Sequence, residues 1–190
     1  MYARKTGGVF VLRIEDTDAD RSRPELVEAI RESLRWLGVD WDEEYLQSDR
    51  FDQYRDVIEK MVADGLAYRC DCSPEEVKAR VGEHGGYDGH CRDRGIGPGD
   101  GVVVRFRTPE EGITAWDDVI RGRVEFANAD MDDFIIVRSN GVPMFHVANA
   151  YDDIDMGITH VVRGEDLVNA TPRVLLLREA MGARQHPTYA

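Results

Sequence analysis

The run Val9-Phe10-Val11-Leu12 passes straight into Arg13-Ile14-Glu15-Asp16-Thr17-Asp18. An apolar stretch that does not alternate predicts a buried strand of the parallel kind, covered on both faces. Three carboxylates and a hydroxyl then crowd its C-terminal end, which is the edge where ligands sit in open α/β sheets. Like charges packed there repel one another unless a cation or a hydrogen-bond donor is held against them. A ligand amino group or a nucleic-acid sugar edge would serve. The plainer reading is a solvated strand-to-helix turn, with Asp18 or Ser22 as a helix cap.

The rest of the chain is punctuated clearly. The stretch Met1 to Gly8 reads as the tail of a helix ending at a glycine cap. Pro24 opens an amphipathic helix through Leu37, with Leu26, Val27, Ile30, Leu34 and Leu37 on one face and Gly38 ending it. A second helix is predicted over 51–63, with Tyr54, Val57, Ile58 and Met61 in register and Gly65 closing it. From Cys70 to Gly101 glycine is dense, the cysteines cluster, and only 74–81 looks helical. Short strands are predicted at 102–107, 123–126 and 134–137, with a turn at Asn140-Gly141. Beyond Pro143 the helix–strand rhythm returns, with a strand at 160–162 and a helix to Met181 for which Thr171 is the cap and Pro172 the first residue. The fold class expected is α/β: a parallel-sheet domain built from 1–69 and 143–190, interrupted by a mixed α+β insert over 70–142.

A chain of 190 residues with 42% hydrophobic content can bury a real core. Its net charge of -13 argues against a non-specific DNA binder or a membrane-surface protein, although a local basic patch can still sit on an acidic body. Three cysteines, an odd number, with no secretory apolar segment at the start, point to a reducing compartment, and no stretch is long enough to span a bilayer. A cytoplasmic protein without membrane contact is expected.

A second polar cluster follows a short β run at Ile158-Thr159-His160-Val161-Val162-Arg163-Gly164-Glu165-Asp166. Glu15 at the end of one strand and Arg163 at the end of another would suit a zwitterion, the carboxylate taking an ammonium and the guanidinium gripping a carboxylate. An internal Glu15–Arg163 ion pair with no ligand is the alternative.

Three stretches together, Arg13-Ile14-Glu15-Asp16-Thr17-Asp18, Tyr87-Asp88-Gly89-His90-Cys91-Arg92, and Asp155 to Asp166, strongly resemble the bacterial glutamyl-tRNA synthetases, class I aminoacyl-tRNA synthetases. The resemblance runs in order from Tyr2-Ala3-Arg4-Lys5-Thr6-Gly7-Gly8 to Pro187-Thr188-Tyr189-Ala190. It implies a Rossmann-type class I synthetase catalytic domain split by an acceptor-end-binding insert. It also implies L-glutamate, tRNA(Glu) and ATP with Mg2+ as partners, and a monomer in the full-length form. By matching position, Glu15 receives the glutamate ammonium and Arg163 the side-chain carboxylate, with Asn149 and Phe145 lining the same pocket. Phe145 departs from the family's tyrosine and so lacks its hydroxyl. Glu165 and Asp166 resemble an acidic pair beside the adenosine of ATP. Asp16, Thr17, Asp18 and Arg21 correspond to a stretch near the tRNA 3′ end. The family's His-Ile-Gly-His and Lys-Met-Ser-Lys-Ser signatures do not occur in the chain, so a truncated core inactive by itself is expected. A glutamyl-queuosine tRNA(Asp) synthetase is the second reading within enzymes, and a non-catalytic tRNA or glutamate binding module is the reading from another class.

Cys70-x-Cys72 followed by Tyr87-x-x-x-Cys91 resembles the zinc hairpin of some members of the family. By that pattern Tyr87 completes a four-ligand structural zinc site, with His84, His90 or Asp93 as substitutes. Three reduced thiols in a glycine-rich fold is the other reading. Arg92, Arg94, Arg105, Arg107, Arg121 and Arg123 all lie in the insert, where they either contact acceptor-stem phosphates or form a solvated charged face. Trp36 and Trp41 are expected as core and loop anchors, and His146 and His160, in apolar company, as structural residues.

Overall fold

The computed structural model describes residues 2–17 and 22–190. The chain forms two compact units, Met1–Gln53 and Tyr54–Ala190.

The first unit contains α1 (Tyr2–Thr6), β1 (Val11–Ile14), α2 (Pro24–Trp36) and β2 (Glu43–Leu46). β1 and β2 pair in parallel, Val11 opposite Glu43 through Ile14 opposite Leu46. Pro24 sits in the first turn of α2, where a missing N–H costs nothing. The helix ends at Gly38, whose φ of 69° lets the Val39 amide turn back onto Leu34 O at 2.9 Å. Asp42 binds the Arg4 guanidinium through both oxygens at 2.7 Å and accepts the Phe10 amide at 2.8 Å, so it fastens α1 to the start of β1.

Three expectations need correction here. β1 is parallel as expected, but it is half-buried, with only Ile14 in the core. Its one strand neighbour among the described residues is β2, too little to cover both faces. Along α2 only Val27 is buried, while Leu26, Ile30 and Leu37 stay exposed. Trp36 is 85% exposed and anchors no core. It lies nine residues beyond Val27, two and a half turns on and therefore on the opposite face, at roughly 100° per residue. Trp41 does serve as a loop anchor, donating to Glu44 Oε2 at 3.0 Å beneath the Arg35 guanidinium.

The second unit begins within α3 (Phe51–Ala63), whose buried face is Tyr54, Ile58 and Met61. It continues with β3 (Ala67–Cys70), α4 (Pro74–Val81), β4 (Val103–Phe106), β5 (Ile113–Asp118), β6 (Gly122–Ala127), β7 (Ile135–Val137), α5 (Phe145–Asp155), β8 (His160–Val161), α6 (Thr171–Ala180) and β9 (Thr188–Tyr189). β3, β4 and β7 form an antiparallel sheet in that order. A second sheet runs β6-β5-β9-β8, with β5 and β6 an antiparallel hairpin and β9 parallel to both β5 and β8. The β5–β6 hairpin, which lies within the expected insert 70–142, thus shares a sheet with strands from 143–190.

That shared sheet has an aromatic centre. Trp116 stacks on Phe126 with centroids 6.0 Å apart and meets Tyr189 edge-on at 6.2 Å, over Leu175 of α6. Trp116, Leu175 and Tyr189 are buried there, and full burial of such a side chain contributes roughly 1.5–3 kcal/mol. α6 packs on α5, and its start differs from expectation: the cap is Ala170, and Thr171 is already helical. A 3-10 turn over Glu165–Ala170 feeds directly into α6, so the Thr171 hydroxyl donates to Leu167 O at 3.2 Å instead of capping. No helix among the described residues is long and apolar enough to cross a membrane.

Candidate functional site

β3 carries Cys70 into the interior at its last residue, and Cys72 follows before Ser73 caps α4. The cap is a full box: the Ser73 hydroxyl accepts the Glu76 amide, and the Glu76 carboxylate accepts the Ser73 amide. α4 therefore starts at a fixed point just past the thiols. The returning loop brings Tyr87 and Cys91 back against them, and Cys70, Tyr87 and Cys91 are buried together with Tyr68.

The three sulfurs lie within 4.8 Å of one another. Cys72 Sγ and Cys91 Sγ are 3.4 Å apart, and the Tyr87 hydroxyl lies 3.3 Å from Cys70 Sγ. Ligands of a tetrahedral zinc ion at ordinary bond lengths stand about 3.5–3.8 Å apart. Three thiols and a phenol oxygen at these separations fit that ion. His84, His90 and Asp93, the substitutes, lie outside the group: all three are exposed, and Asp93 pairs with Arg107 at 2.9 Å.

The electrostatics of the cluster are uneven. Burial pushes the Cys70 thiol up, but hydrogen bonds from Tyr87, the Cys72 amide and Arg105 outweigh it and bring the thiol below its usual value. Burial, followed by the shared bond with Cys91, raises Cys72 to about 11. The Tyr87 hydroxyl is raised, first by burial and then by its bonds to Cys70 and Cys91. Arg105 lies over the Tyr87 ring with its guanidinium carbon 3.6 Å from the centroid.

A buried ionic network braces the same loop. Asp133, 2% exposed, takes Arg92 through two bonds of 2.6 and 2.7 Å, the Thr108 amide at 2.9 Å and the Tyr68 hydroxyl. Burial would raise its carboxyl, but those donors hold it below the usual carboxylate range. Arg92 follows Cys91 directly, and the neighbouring Asp132 accepts the Tyr87 amide at 3.2 Å. Arg92 and Arg105 are thus committed inside the fold. Arg121 pairs with Glu165, and Arg123 with Glu125 at 3.0 Å, on the surface.

The expected substrate residues divide between the units. In the second, Phe145 and Asn149 stand one turn apart on α5, both half-buried and on one face. Arg163 follows β8, its amide on Ala190 O at 3.0 Å and its guanidinium over Tyr189 and on the Thr171 hydroxyl. Glu165 and Asp166 are exposed at the start of the 3-10 turn. His160 is exposed, with Nδ1 2.9 Å from the Thr159 hydroxyl, so it does not have the apolar surroundings expected; His146 does. In the first unit Glu15 is exposed after β1, and Thr17 is half-buried. Asp16 accepts the Ser48 amide at 2.8 Å and the Ser48 hydroxyl at 2.6 Å, locking the end of β1 to the turn after β2. Asp18 and Arg21 lie outside the described residues.

The sequence model of tRNA synthetases class I (E and Q), catalytic domain, matches residues 1–190. The glutamate–tRNA ligase of Syntrophobacter fumaroxidans is 47% identical over 191 residues, covering 97% of this chain and 41% of the relative. Glutamate–tRNA ligase 1 of Acidithiobacillus ferrooxidans is 50% identical over 198 residues, covering 100% of this chain and 42% of the relative. The crystal structure of a glutamate tRNA ligase from Elizabethkingia meningosepticum, in complex with its amino acid, superposes with a TM-score of 0.87 at 34% identity, covering 100% of this chain and 43% of that one. The chain spans about two fifths of the length of the curated relatives it matches. The α/β class expected from the sequence is borne out by this likeness.

Proposed function

Because this chain belongs to the family of class I tRNA synthetases for glutamate and glutamine, matching its catalytic domain from end to end, we propose that it supplies the amino-acid-binding core of a glutamate–tRNA ligase. The observation that carries the reading is identity of 47–50% along the whole chain to proteins named glutamate–tRNA ligases. Those relatives do not favour the glutamyl-queuosine alternative.

The reaction has two steps. A glutamate α-carboxylate oxygen attacks the α-phosphorus of ATP and pyrophosphate leaves. A hydroxyl of the tRNA 3′-terminal ribose then attacks the acyl carbon and AMP leaves. Mg2+ bound with ATP neutralises phosphate charge. The chain's own residues contribute positioning and charge. Arg163, held by Thr171 and Tyr189, presents a fork for the side-chain carboxylate of glutamate. Glu15 takes the ammonium. Phe145 and Asn149 line the pocket, Asn149 by hydrogen bonding and Phe145 by apolar contact alone. Glu165 and Asp166 stand beside the adenosine of ATP, and Asp16 and Thr17, with Asp18 and Arg21, near the tRNA 3′ end. The 70–142 segment is the acceptor-end insert, between catalytic parts at 1–69 and 143–190. A cytoplasmic monomer is the expected working form.

Cys70, Cys72, Cys91 and Tyr87 would hold a zinc ion of structural type. Bound there, zinc would join β3 to the loop that carries Tyr87 and Cys91, and its binding free energy would add to the folding of this small subdomain.

A segment exchange tests the central reading. This chain replaces the matching segment of the Acidithiobacillus ferrooxidans enzyme, and amino-acid-dependent ATP–pyrophosphate exchange is measured. Exchange that requires L-glutamate supports the proposal. A folded chimera that exchanges with another amino acid, or with none, overturns it.

A further inference from the structure

Two arginines reach the thiol cluster by the same construction. Arg80, near the end of α4, binds Asp88 at 2.7 and 3.3 Å and places a second N–H 3.5 Å from Cys72 Sγ. Arg94, in the turn after Cys91, binds Asp71 at 2.8 and 3.4 Å and places an N–H 3.3 Å from Cys91 Sγ. Asp71 stands between Cys70 and Cys72, and Asp88 directly follows Tyr87. Each arginine therefore spans the two segments that carry the cluster, 70–72 and 87–91. Each also touches a different sulfur.

An exposed arginine–aspartate pair alone contributes little, about 0–1 kcal/mol. The sulfur contacts give the arrangement its meaning. A thiol sulfur is a weak acceptor, whereas a thiolate draws a guanidinium strongly. Three thiolates around a divalent cation leave a net negative centre, in a chain whose own charge is -13. Fixed positive charge at two of the sulfurs offsets that excess.

We propose that Arg80 and Arg94, oriented by Asp88 and Asp71, are positioning residues that neutralise and hold the zinc-bound thiolates of Cys72 and Cys91. The proposal rests on the zinc reading above. Neither arginine is itself a ligand. Their role is to slow the loss of the metal by holding the two sulfurs in place and offsetting their charge.

The test loads the 190-residue chain with zinc and follows release to the chelator 4-(2-pyridylazo)resorcinol. It compares the wild type with Arg80→Gln, Arg94→Gln and the two Lys variants. The cobalt-loaded forms are scanned in parallel for thiolate-to-metal absorption. Each Gln variant is expected to weaken metal retention about ten-fold, as loss of an outer partner does elsewhere. The Lys variants, which keep the charge but not the fork, should lose less, and the cobalt absorption should show all thiolates still bound. Wild-type release from both Gln variants overturns the proposal, as does an equal loss in the Lys and Gln variants. A wild-type chain that takes up no zinc after metal-replete expression overturns the metal reading and this proposal with it, a result distinguishable from the other two.

Discussion

Arg92 grips the buried carboxylate of Asp133 through two parallel bonds, and the residue before Arg92 is Cys91 of the thiol cluster. One ion pair thus connects the interior of the β3–β4–β7 sheet to the loop that would hold a metal. Removing one partner of such a pair leaves a charge buried without compensation.

Asp133→Asn is expected to destabilise the fold by about 3 kcal/mol or more, read as a lower urea midpoint. The wild-type pair also has a pH signature. Asp133 titrates lower in the folded chain than in the unfolded one. Its stabilisation is therefore present above the unfolded value, about 3.9, and is lost as pH falls through the folded value. The Asn variant should lack that acid step.

Tyr54 donates to Asp152 Oδ2 at 2.9 Å, a bond between two fully buried groups 98 residues apart that ties α3 to α5. Tyr54→Phe keeps the ring and its edge-on contact with Tyr151 but strips a donor from a buried carboxylate. The expected cost is about 1–3 kcal/mol in urea unfolding. A change within about 0.3 kcal/mol would show that Asp152 is satisfied without Tyr54.

The six arginines of the insert should separate by role. Arg92→Ala is expected to lower stability, because Arg92 is half-buried and holds the buried Asp133 carboxylate. Arg121 and Arg123 lie on the surface, with side chains 41% and 57% exposed. The double Ala variant of those two should leave the unfolding midpoint near wild type while reducing the salt slope of tRNA binding by about one for each phosphate no longer neutralised. An unchanged slope would leave them as a solvated charged face.

Much of this was legible in the sequence because the signals were local. The helices over 51–63 and 74–81 fall where periodicity, Ser73-Pro74 and the closing glycines place them. The Asn140-Gly141 turn forms with Gly141 at a φ of 79°. β2, β3, β5 and β9 went unseen: Glu43-Glu44-Tyr45-Leu46 is too polar, and Thr188-Tyr189 too short, to announce a strand. Each exists through its pairing partner, a long-range property. α5 was hidden because its buried face includes His146, Asp152 and Asp153, polar residues that periodicity counts as exposed. At the site, the cysteine spacing and Tyr87 were readable. The arginines were not: Arg92 and Arg94 look alike in sequence, and only the fold gives one Asp133 and the other a cysteine sulfur.

Loss of zinc should be visible as loss of stability. If Cys70, Cys72, Cys91 and Tyr87 hold the ion, binding free energy adds to folding free energy, because the unfolded chain has no preformed site. Zinc-loaded protein should melt several degrees higher than chelator-treated protein, and Cys91→Ser should abolish both the zinc content and the difference. Equal melting temperatures with and without chelator would argue for three reduced thiols that hold no metal.

His146 gives a pH dependence of opposite origin. Its ring is buried on α5, edge-on to Phe134 at 6.1 Å. Burial first, and the Arg173 charge second, lower its pKa to about 4. An unfolded histidine titrates near 6.5, so at neutral pH the ring is uncharged in both states and contributes no pH dependence. Between about 6.5 and 4 the unfolded chain binds a proton that the folded chain refuses, so stability falls as pH falls. Below about 4 both states are protonated and the loss is complete. A shift of this size corresponds to roughly 3 kcal/mol. The window lies above the one governed by Asp133, so the two can be separated. His146→Leu, which fills similar space and cannot titrate, should flatten the decline in urea-unfolding free energy between pH 6.5 and 4 by about that amount. A decline of wild-type steepness in the variant would mean that this ring takes up no proton on unfolding and that other groups carry the acid sensitivity.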